Sequence, residues 1–340
     1  MKFSICIPNY NYEKYLGETL TSVFAQKADL EVLVSDNAST DTSLDVVKGF
    51  KDPRVKIRVN QANVGFAGNL DRAARMATGE IVIMLSSDDL MRPTALETYE
   101  RMFKAVEPDA VMSSSADMID GKSAHIGAIG PDAALWTEAD LVTGYPAPAG
   151  ARVYRVEAGE LLRRCLKTLK NPFNFLATAY PRGLYERIEG YGGGRVINPD
   201  KWFHWRLLGA ASYAYFIDAP LFAYRWHATN QSALQKSSGA LKYLVDEYVS
   251  SFEVDARLLE RAKLTREEVE RAFVEFDIAR HGLATLAKGE AQRARRILFF
   301  GLSAYPKHAS RNWKLWALAG LSMLPMGGQV AKLAYDRRKP

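Results

Sequence analysis

The first 85 residues alternate short β-rich runs with helical patterns, and this alternation restricts the possible folds more than any other feature. The β-rich runs are FSICIP, EVLVSD, VKIRVN and IVIML, and each stretch between them places its apolar residues on one helix face. Successive strands joined through helices run parallel in one sheet. Ile81 to Leu85 contains no polar residue, which indicates a strand buried on both faces. The sequence therefore predicts a doubly wound α/β unit, whose ligands bind beyond the carboxyl ends of the strands.

Composition and cysteine usage are typical of a globular protein of a reducing compartment. Of the 340 residues, 48% are hydrophobic and 25% are charged, which is ordinary for a soluble domain. The two cysteines, Cys6 and Cys165, have neither the spacing of a zinc site nor that of a disulfide framework. The apolar stretch in MKFSICIPNY is too short for a signal peptide. We therefore expect a cytoplasmic location.

Two adjacent carboxylates, Asp88 and Asp89, follow the buried strand in the segment LSSDDLMRP. One of them is explained as the cap of a helix beginning near Pro93, since an aspartate there accepts backbone hydrogen bonds. The second is not explained in this way, because two like charges side by side repel each other. A divalent cation offsets both charges, and Mg²⁺ commonly binds through one or two carboxylates together with substrate phosphates. The pair therefore points to a metal ion and a nucleoside diphosphate.

The glycine-rich loops that bind phosphates in other α/β proteins do not occur where this fold would use them. The first strand and helix are joined by PNYNYEKYL, without a G-x-G-x-x-G pattern, and the sequence contains no Walker A motif. This disfavours a dinucleotide-dependent oxidoreductase. Asp36 ends the second strand and is followed by small polar residues suited to contact a base or ribose; the structural alternative for Asp36 is a cap for the next helix, shared with Ser39 or Asp41.

Five segments have the order and spacing typical of the family 2 glycosyltransferases with the GT-A fold. They are SICIPNYNYEKYLGETLTSVFAQ, EVLVSDNASTDTS, NVGFAGNLDRAARMATGEIVIMLSSDDLMRP, NPDKWFHWRLL and LFAYRWHATNQSA. The resemblance covers about residues 3–235. It implies a Rossmann-like, mixed and mainly parallel sheet flanked by helices, with a C-terminal helical extension. It also implies a metal-dependent, inverting transfer of a sugar from a nucleoside diphosphate to a hydroxyl group.

The resemblance also assigns roles in binding the donor and the metal. Asp36 resembles the carboxylate that meets the base, Asp88 the acid near the ribose, and Asp89 the metal ligand of a D-x-D type motif. That motif reads Ser87-Asp88-Asp89 here, one carboxylate fewer than the full form. The implied cofactor is Mn²⁺ or Mg²⁺, held by Asp89 and His227. The implied donor-binding residues are Pro8, Asn9, Tyr10, Asp36, Asn69, Asp88 and Arg225.

For catalysis, the resemblance points to Asp200 as the base that takes the proton of the acceptor hydroxyl. Asp200 opens a helix, so a simple N-cap is the alternative. The family usually has an acid just before this base, whereas Pro199 stands here. The resemblance brings His227 to the metal or the diphosphate, and Arg225 to the same charge as support for the leaving group. A histidine after a strand is, however, more often structural.

The predicted domain division falls at about residue 235. Residues 1–118 form the nucleotide-sugar half and 119–235 the acceptor half of a catalytic domain, followed by a helical region over 236–340. Within the acceptor half, FNFLATAY is β-like, DKWFHWRLLG has the pattern of an amphipathic helix, and SYAYFIDAPLFAYRWH contains two strand-like runs.

A basic and apolar tail ends the sequence. From Lys288 onward it has eleven Lys or Arg residues against two acids. Between Lys314 and Lys332 lie 17 uncharged residues, fewer than the roughly 20 that a spanning helix needs. We expect the tail to lie on an anionic membrane surface, at the inner face of the plasma membrane. The alternative is a terminal helical hairpin packed on the domain itself.

These observations predict a membrane-associated glycosyltransferase of cell-surface polysaccharide synthesis, such as that of O-antigen, capsule or exopolysaccharide. Its acceptor would be lipid-linked or a saccharide, and no nucleic acid would take part. A nucleotidyltransferase is an alternative that also uses a metal and aspartates, but it would favour a glycine-rich, basic loop after the first strand. A non-catalytic module that binds a membrane surface or a nucleotide is the third possibility.

Overall fold

The structure is a computed structural model that describes residues 1–192, 199–227, 229–230 and 240–336. The chain forms two compact units, one of residues 1–162 and 171–227, the other of residues 163–170 and 228–340. The boundary predicted at about residue 235 and the basic residues Arg337 to Lys339 lie outside the described residues.

The first unit is built on one mixed sheet. Its strands follow the order β3-β2-β1-β4-β10-β6-β11-β9-β8, with β5 paired to β11 and β7 paired to β6. The strands are β1 Phe3–Asn9, β2 Leu30–Asp36, β3 Val55–Val59, β4 Ile81–Met84, β5 Leu90–Met91, β6 Val111–Asp120, β7 His125–Ile129, β8 Leu141–Val142, β9 Arg152–Glu157, β10 Ala179–Pro181 and β11 Tyr213–Trp226. The first four strands are parallel, as are β6 and β11. The predicted α/β architecture is confirmed.

Helices connect and flank these strands. They are α1 Glu13–Phe24, α2 Ser43–Gly49, α3 Gly65–Ala74, α4 Ala95–Ala105, α5 Ala158–Thr168, α6 Arg182–Arg187 and α7 Pro199–Ala210. Strand β4 is buried along its whole length, as its unbroken apolar run predicts, and β3 is an exposed edge strand. In register, Asn9 at the end of β1 lies beside Asp36 at the end of β2. The polar residues that follow these strands therefore gather at one edge of the sheet.

Three local predictions in the acceptor half need correction. FNFLATAY forms a 3₁₀ turn, Phe175–Ala177, before the short strand β10. SYAYFIDAPLFAYRWH forms the single strand β11, which continues through two irregularities in its register with β6 around Pro220. Helix α7 is not amphipathic, because the chain covers it on nearly all sides. Its buried residues are Pro199, Lys201, Phe203, His204, Trp205, Leu207 and Leu208.

The second unit is helical throughout the part that the structure describes, as the sequence predicts. After the end of α5 it comprises α8 Ala240–Phe252, α9 Ala256–Ala262, α10 Arg266–Phe273, α11 His281–Ala287, α12 Ala291–Ala304, α13 Pro306–Ala309, α14 Trp313–Met323 and α15 Gly327–Asp336. A π-helical stretch, Val274–Arg280, joins α10 to α11. Several of these helices begin at an N-cap or a capping box, for example α10 at the capping box of Thr265 and Glu268.

Glu31 connects β1, β2 and β3 at the end of the sheet where these parallel strands begin. Its buried carboxylate accepts hydrogen bonds from Ser4 Oγ at 2.7 Å, Lys56 Nζ at 2.9 Å and the backbone N–H of Thr78 at 2.7 Å. Burial alone would raise the pKa of Glu31, but the bonds from Ser4, Lys56 and Thr78 outweigh it and hold the pKa far below its usual range. The charged form of Glu31 therefore stabilises the fold.

Glu31→Gln should lower the free energy of unfolding by roughly 1–3 kcal/mol at neutral pH, because a neutral amide is the weaker acceptor. Since the folded-state pKa lies below the unfolded value of about 4.3, this contribution is complete above that pH and is lost as the pH falls towards the folded value. Urea unfolding should thus show that the free energies of unfolding of the wild type and Glu31→Gln approach each other below about pH 4. The control Glu80→Gln removes an exposed acid near the same corner. If the two proteins differed in free energy of unfolding by the same amount at pH 7 and at pH 3, this role of Glu31 would be contradicted.

Candidate active site

The turn that follows β4 is fixed to β1 and to the middle of α1. The backbone N–H of Leu85 donates to the carbonyl of Cys6 at 2.9 Å, which continues the pairing of β4 with β1. Ser87 Oγ then donates to the carbonyl of Pro8 at 2.9 Å, and Thr19 Oγ1 donates to the carbonyl of Ser87 at 3.0 Å. The turn carrying the two carboxylates therefore has a defined position at the carboxyl edge of the sheet.

Asp89 is almost completely buried, with 1% of its surface exposed. Its Oδ1 accepts a hydrogen bond from the backbone N–H of Arg225 at 2.8 Å. This contact follows from the pairing of β5 with β11, in which Leu90 lies opposite Ala223. Burial, together with the neighbouring charge of Asp88, holds the pKa of the Asp89 carboxyl well above its usual range. The charged form of Asp89 therefore needs more positive charge than the described residues supply.

The structure places His227 against Asp88 rather than Asp89. His227 Nε2 lies 2.9 Å from Asp88 Oδ2, and both side chains are largely buried. The imidazole packs beside the rings of Tyr15 and Tyr12, with ring centroids 4.6 and 6.0 Å away. Burial and the charges of Asp88 and Asp89 raise the pKa of Tyr12, so its phenol stays neutral beside the pair. Tyr12, which precedes α1, and Tyr15 in its first turn thus belong to the site.

Arg225 is fully buried and supports the carboxylate turn from within the protein. Its Nε donates to the carbonyl of Asp88 at 2.7 Å, and its Nη2 forms an ion pair with Glu18 Oε2 at 2.7 Å. Its Nη1 donates to Ser123 Oγ at 2.7 Å and to the carbonyl of Asp120 at 3.2 Å. This set of contacts orients the guanidinium inward, so the structure favours a positioning role over the predicted direct contact with the donor.

The donor-side residues form a hydrogen-bonded layer at the ends of β1 and β2. Asp36 accepts bonds from Asn9 Nδ2 at 2.8 Å, Ser39 N at 2.9 Å and Ser39 Oγ at 2.6 Å. Asp36 therefore fixes the loop after β2 and does not cap α2, which begins at Ser43 with Thr42 as its N-cap. Asn9 is fully buried, and its Oδ1 has no hydrogen-bond partner among the described residues. Tyr10, the next residue, exposes 42% of its surface. This edge thus offers one buried acceptor and one exposed aromatic ring.

Asn69 lies behind this layer. Its Oδ1 accepts bonds from Ser35 Oγ at 2.8 Å and Asn60 Nδ2 at 3.0 Å. Its Nδ2 donates to the carbonyls of Ser35 at 2.9 Å and Asn9 at 3.3 Å. An asparagine amide has two donor and two acceptor positions, and all four are engaged internally. The structure therefore gives Asn69 the role of fixing α3 to the ends of β1 and β2, whereas the sequence predicted a donor contact.

Asp200 lies in the first turn of α7 and is bonded to a residue that the sequence did not indicate. Asn171 Nδ2 donates to Asp200 Oδ2 at 3.0 Å. The chain after Asn171 enters β10, which pairs antiparallel with β4, so the residues before Ala179 extend past the carboxyl end of β4. Asn174 Nδ2 in that segment donates to the carbonyl of Ser114 in β6 at 2.7 Å. Asp200 is therefore connected, through Asn171, to the segment that leads into β10 beside β4.

The described side chains of the site provide only part of the ligands that a divalent cation needs. Asp88 and Asp89 provide hard oxygen ligands in a buried setting where negative charge is incompletely offset. Across the described ranges, no group of three or more His, Cys, Asp or Glu side chains is arranged to hold a metal ion. Mg²⁺ and Mn²⁺ prefer oxygen ligands and readily complete their shell with phosphates and water. The two aspartates fit a metal that a substrate diphosphate helps to hold.

The region that carries this edge is similar to a known protein family. The family model described as Glycosyl transferase family 2 matches residues 4–124, which contain β1 to β6 and the carboxylate pair. This part of the chain belongs to glycosyl transferase family 2. The predicted family is confirmed there.

Several curated relatives of this family align with the same region. An uncharacterized glycosyltransferase of Nostoc sp. is 37% identical over 129 residues, covering 37% of this chain and 40% of its own. The poly(ribitol-phosphate) beta-N-acetylglucosaminyltransferase TarS of Staphylococcus aureus is 37% identical over 103 residues, 28% of this chain and 18% of its own. An Escherichia coli beta-1,3-glucosyltransferase, WfgD, whose name gives UDP-Glc as donor and a GlcNAc-diphosphoundecaprenol acceptor, is 36% identical over 95 residues, 28% and 38% of the two chains. The alignments thus span less than half the length of these relatives.

Solved structures extend the likeness of fold to the whole chain. The crystal structure of S. aureus TarS 1–349 in complex with UDP-GlcNAc covers 99% of this chain and 92% of its own, with a TM-score of 0.68 and 18% sequence identity. At this identity the likeness concerns the fold, which confirms the predicted GT-A architecture followed by a helical region.

Arg225→Lys should lower the free energy of unfolding by roughly 2–4 kcal/mol, because lysine cannot reproduce the inward fork and leaves Glu18 without its partner. Urea unfolding followed by circular dichroism measures this loss. Arg92→Lys is the matched control, since it changes a half-exposed ion pair with Asp117 and should cost less than about 1 kcal/mol. A variant of normal stability that has lost only affinity for nucleotide would show instead that Arg225 faces the donor.

Proposed function

We propose that this protein is an inverting glycosyltransferase that moves a sugar from a nucleoside diphosphate to a hydroxyl of a lipid-linked or saccharide acceptor in cell-surface polysaccharide synthesis. The observation that carries the proposal is the buried Asp88-Asp89 pair at the carboxyl edge of a family 2 domain. Ligands of open α/β sheets bind at this edge. The names of TarS and WfgD describe glycosyl transfer to poly(ribitol-phosphate) and to a diphosphoundecaprenol-linked sugar, which supports this acceptor class.

The donor nucleotide would lie across the ends of β1 and β2. The exposed ring of Tyr10 is suited to pack on the base, and the buried Asn9 would hold Asp36 in place beside it. Pro8 contributes the backbone to which Ser87 is bonded. Asp36 and Asn69 would hold this surface in place through their internal hydrogen bonds. The ribose would lie near Asp88.

Asp89, with Asp88 beside it, would hold Mg²⁺ or Mn²⁺ together with the diphosphate oxygens. Such a cation supplies electrostatic stabilisation of the charge that develops on the leaving diphosphate. His227 and Arg225 would support the pair, His227 through the Asp88 carboxylate and Arg225 through the backbone carbonyl of Asp88. The nucleotidyltransferase and the non-catalytic module are less well supported, because neither accounts for the family match at residues 4–124.

Asp200 would act as the general base. In an inverting displacement the acceptor oxygen forms its bond to the anomeric carbon as the bond to the diphosphate breaks, and the carboxylate takes the hydroxyl proton. Its half-buried position on the rigid helix α7 favours a fixed orientation.

Asp200→Asn should lower kcat by roughly 10²- to 10⁴-fold, because the amide cannot take up the proton, while donor affinity stays unchanged. Asp89→Asn should instead lose metal-dependent donor binding.

A thermal-shift screen of nucleoside diphosphates and their sugars, with and without Mn²⁺, identifies the donor, since a ligand raises the unfolding temperature by mass action. Transfer is then followed by NMR, which also reports the anomeric configuration of the product. Asp45→Asn, on the exposed face of α2, is the control.

Retained transfer in Asp200→Asn, or a product of retained configuration, would contradict the mechanism. Pyrophosphate release from a nucleoside triphosphate would favour the nucleotidyltransferase instead.

The second unit carries the surface that we propose to lie on an anionic membrane, at the inner face of the plasma membrane. None of the helices in the described ranges has the length and hydropathy to span a bilayer. The helices α14 and α15 nevertheless expose large apolar side chains, with Trp313 65% and Met323 72% exposed. We call this set the apolar hairpin face; it comprises Trp313, Trp316, Met323, Leu324, Met326, Val330 and Leu333. The excess of basic residues after Lys288 suits anionic headgroups.

A triple variant, Trp313→Ser, Met323→Ser and Leu324→Ser, should weaken binding to vesicles that contain anionic lipid by at least roughly 100-fold, since each buried apolar side chain contributes about 1.5 kcal/mol or more. Co-sedimentation with the vesicles measures the partitioning. Ile57→Ser with Val59→Ser is the matched control, because it removes exposed apolar residues from the edge strand β3. Equal vesicle binding by the triple variant and the wild type would contradict the membrane assignment.

A further inference from the structure

Asn171 connects Asp200 to a buried histidine of the same helix. Asn171 Nδ2 donates to Asp200 Oδ2 at 3.0 Å, and Asn171 Oδ1 lies 2.7 Å from His204 Nδ1. Asp200 and His204 are four residues apart, so both face the same side of α7. One amide therefore bridges two consecutive turns of the helix, and neither the family resemblance nor the sequence pattern assigned a role to it.

The orientation of the Asn171 amide is determined by its neighbours. An ionised carboxylate only accepts hydrogen bonds, so the atom facing Asp200 is the amide nitrogen. The backbone N–H of Phe173 points to the other side-chain atom at 3.4 Å, and because a backbone N–H only donates, that atom is the oxygen. His204 must then donate from Nδ1 to the same oxygen. These contacts form a directed series from His204 through Asn171 to Asp200.

His204 can fill this role because it stays neutral. It is 2% exposed and packs against the rings of Phe173 and Phe203. Burial lowers the pKa of His204 to about 3. A neutral imidazole with its proton on Nδ1 is a fixed donor and brings no charge near Asp200. The amide is thus held at one end by a group whose protonation does not change over the working pH range.

We propose that Asn171, oriented by neutral His204, is the positioning residue for the base Asp200. The inference rests on the proposed function, because it assigns a purpose to an orientation that matters only if Asp200 receives a proton. Asn171 fixes the rotation of the carboxylate and favours its charged form by hydrogen bonding. The His204 ring acts on the Asp200 carboxylate through Asn171, because its Nδ1 lies 2.7 Å from Asn171 Oδ1.

The test combines a readout that needs no activity with a kinetic one. Carbon-13 NMR of the aspartate carboxyl groups follows the titration of Asp200 in the full chain, with Asp200→Asn identifying its resonance. In Asn171→Ala the midpoint should move to higher pH by about one unit, because the charged carboxylate loses a donor. The matched control, Asn174→Ala, removes an asparagine of the same segment that bonds to the Ser114 carbonyl instead and should leave the midpoint in place.

Kinetically, Asn171→Ala should lower kcat by roughly 10- to 100-fold with little change in KM for the donor, because a misplaced base affects the chemical step alone. His204→Phe keeps the bulk of the ring but removes the Nδ1–H, and it should lower kcat by a smaller factor. The double variant should be no slower than Asn171→Ala alone, since both changes break one series.

Each outcome has a distinct meaning. An unmoved midpoint in Asn171→Ala, or a normal kcat in that variant when Asp200→Asn is inactive, would overturn the positioning role and leave the proposed function standing. Additive losses in the double variant would show that His204 acts independently of Asn171. Full transfer activity in Asp200→Asn would show that Asp200 is not the general base, and Asn171 would then have no base to position.

Discussion

The arrangement of this protein depends on two neighbouring carboxylates, Asp88 and Asp89, that are buried at the end of a strand. Burying a charge that is not offset costs several kcal/mol, so the surrounding chain must supply partners. It supplies the backbone N–H of Arg225 to Asp89 and the imidazole of His227 to Asp88. Both come from the end of β11, which the pairing with β5 brings to this point. The long strand β11 thus completes a site that begins at β4.

Arg225 and His227 offset only part of the negative charge of Asp88 and Asp89. Arg225 directs its guanidinium to the carbonyls of Asp88 and Asp120 and to Glu18, so its charge is shared with a third acid. The Asp89 carboxyl accordingly keeps a pKa above its usual range. In contrast, the Asn9, Asp36 and Asn69 layer satisfies almost all of its polar atoms internally. Residual negative charge at one point of a rigid edge is what a divalent cation with a diphosphate would require.

Much of the first half could be predicted from the sequence because its signals are local. The unbroken apolar run of β4, the alternation in β3 and the acids after strands define the parallel sheet and its edge directly. The fold of β11 could not be predicted, because Pro220 suggests a break that the pairing with β6 overrides. The contact of Asn171 with Asp200 joins residues 29 positions apart and has no periodic or charge signal. The inward orientation of Arg225 also depends on long-range partners, of which Glu18 lies 207 positions away.

The proposed function depends most directly on one claim, that Asp89 and a divalent cation together hold a nucleoside diphosphate. Calorimetric titration of the wild-type protein with the nucleoside diphosphate that the thermal-shift screen identifies, in Mn²⁺ and then in EDTA, tests that claim without a known acceptor. It predicts binding that is at least about tenfold tighter with Mn²⁺, a difference of about 1.4 kcal/mol, and that Asp89→Asn abolishes this difference. Equal affinity for that nucleoside diphosphate in Mn²⁺ and in EDTA, with Asp89→Asn unchanged from the wild type, would contradict it.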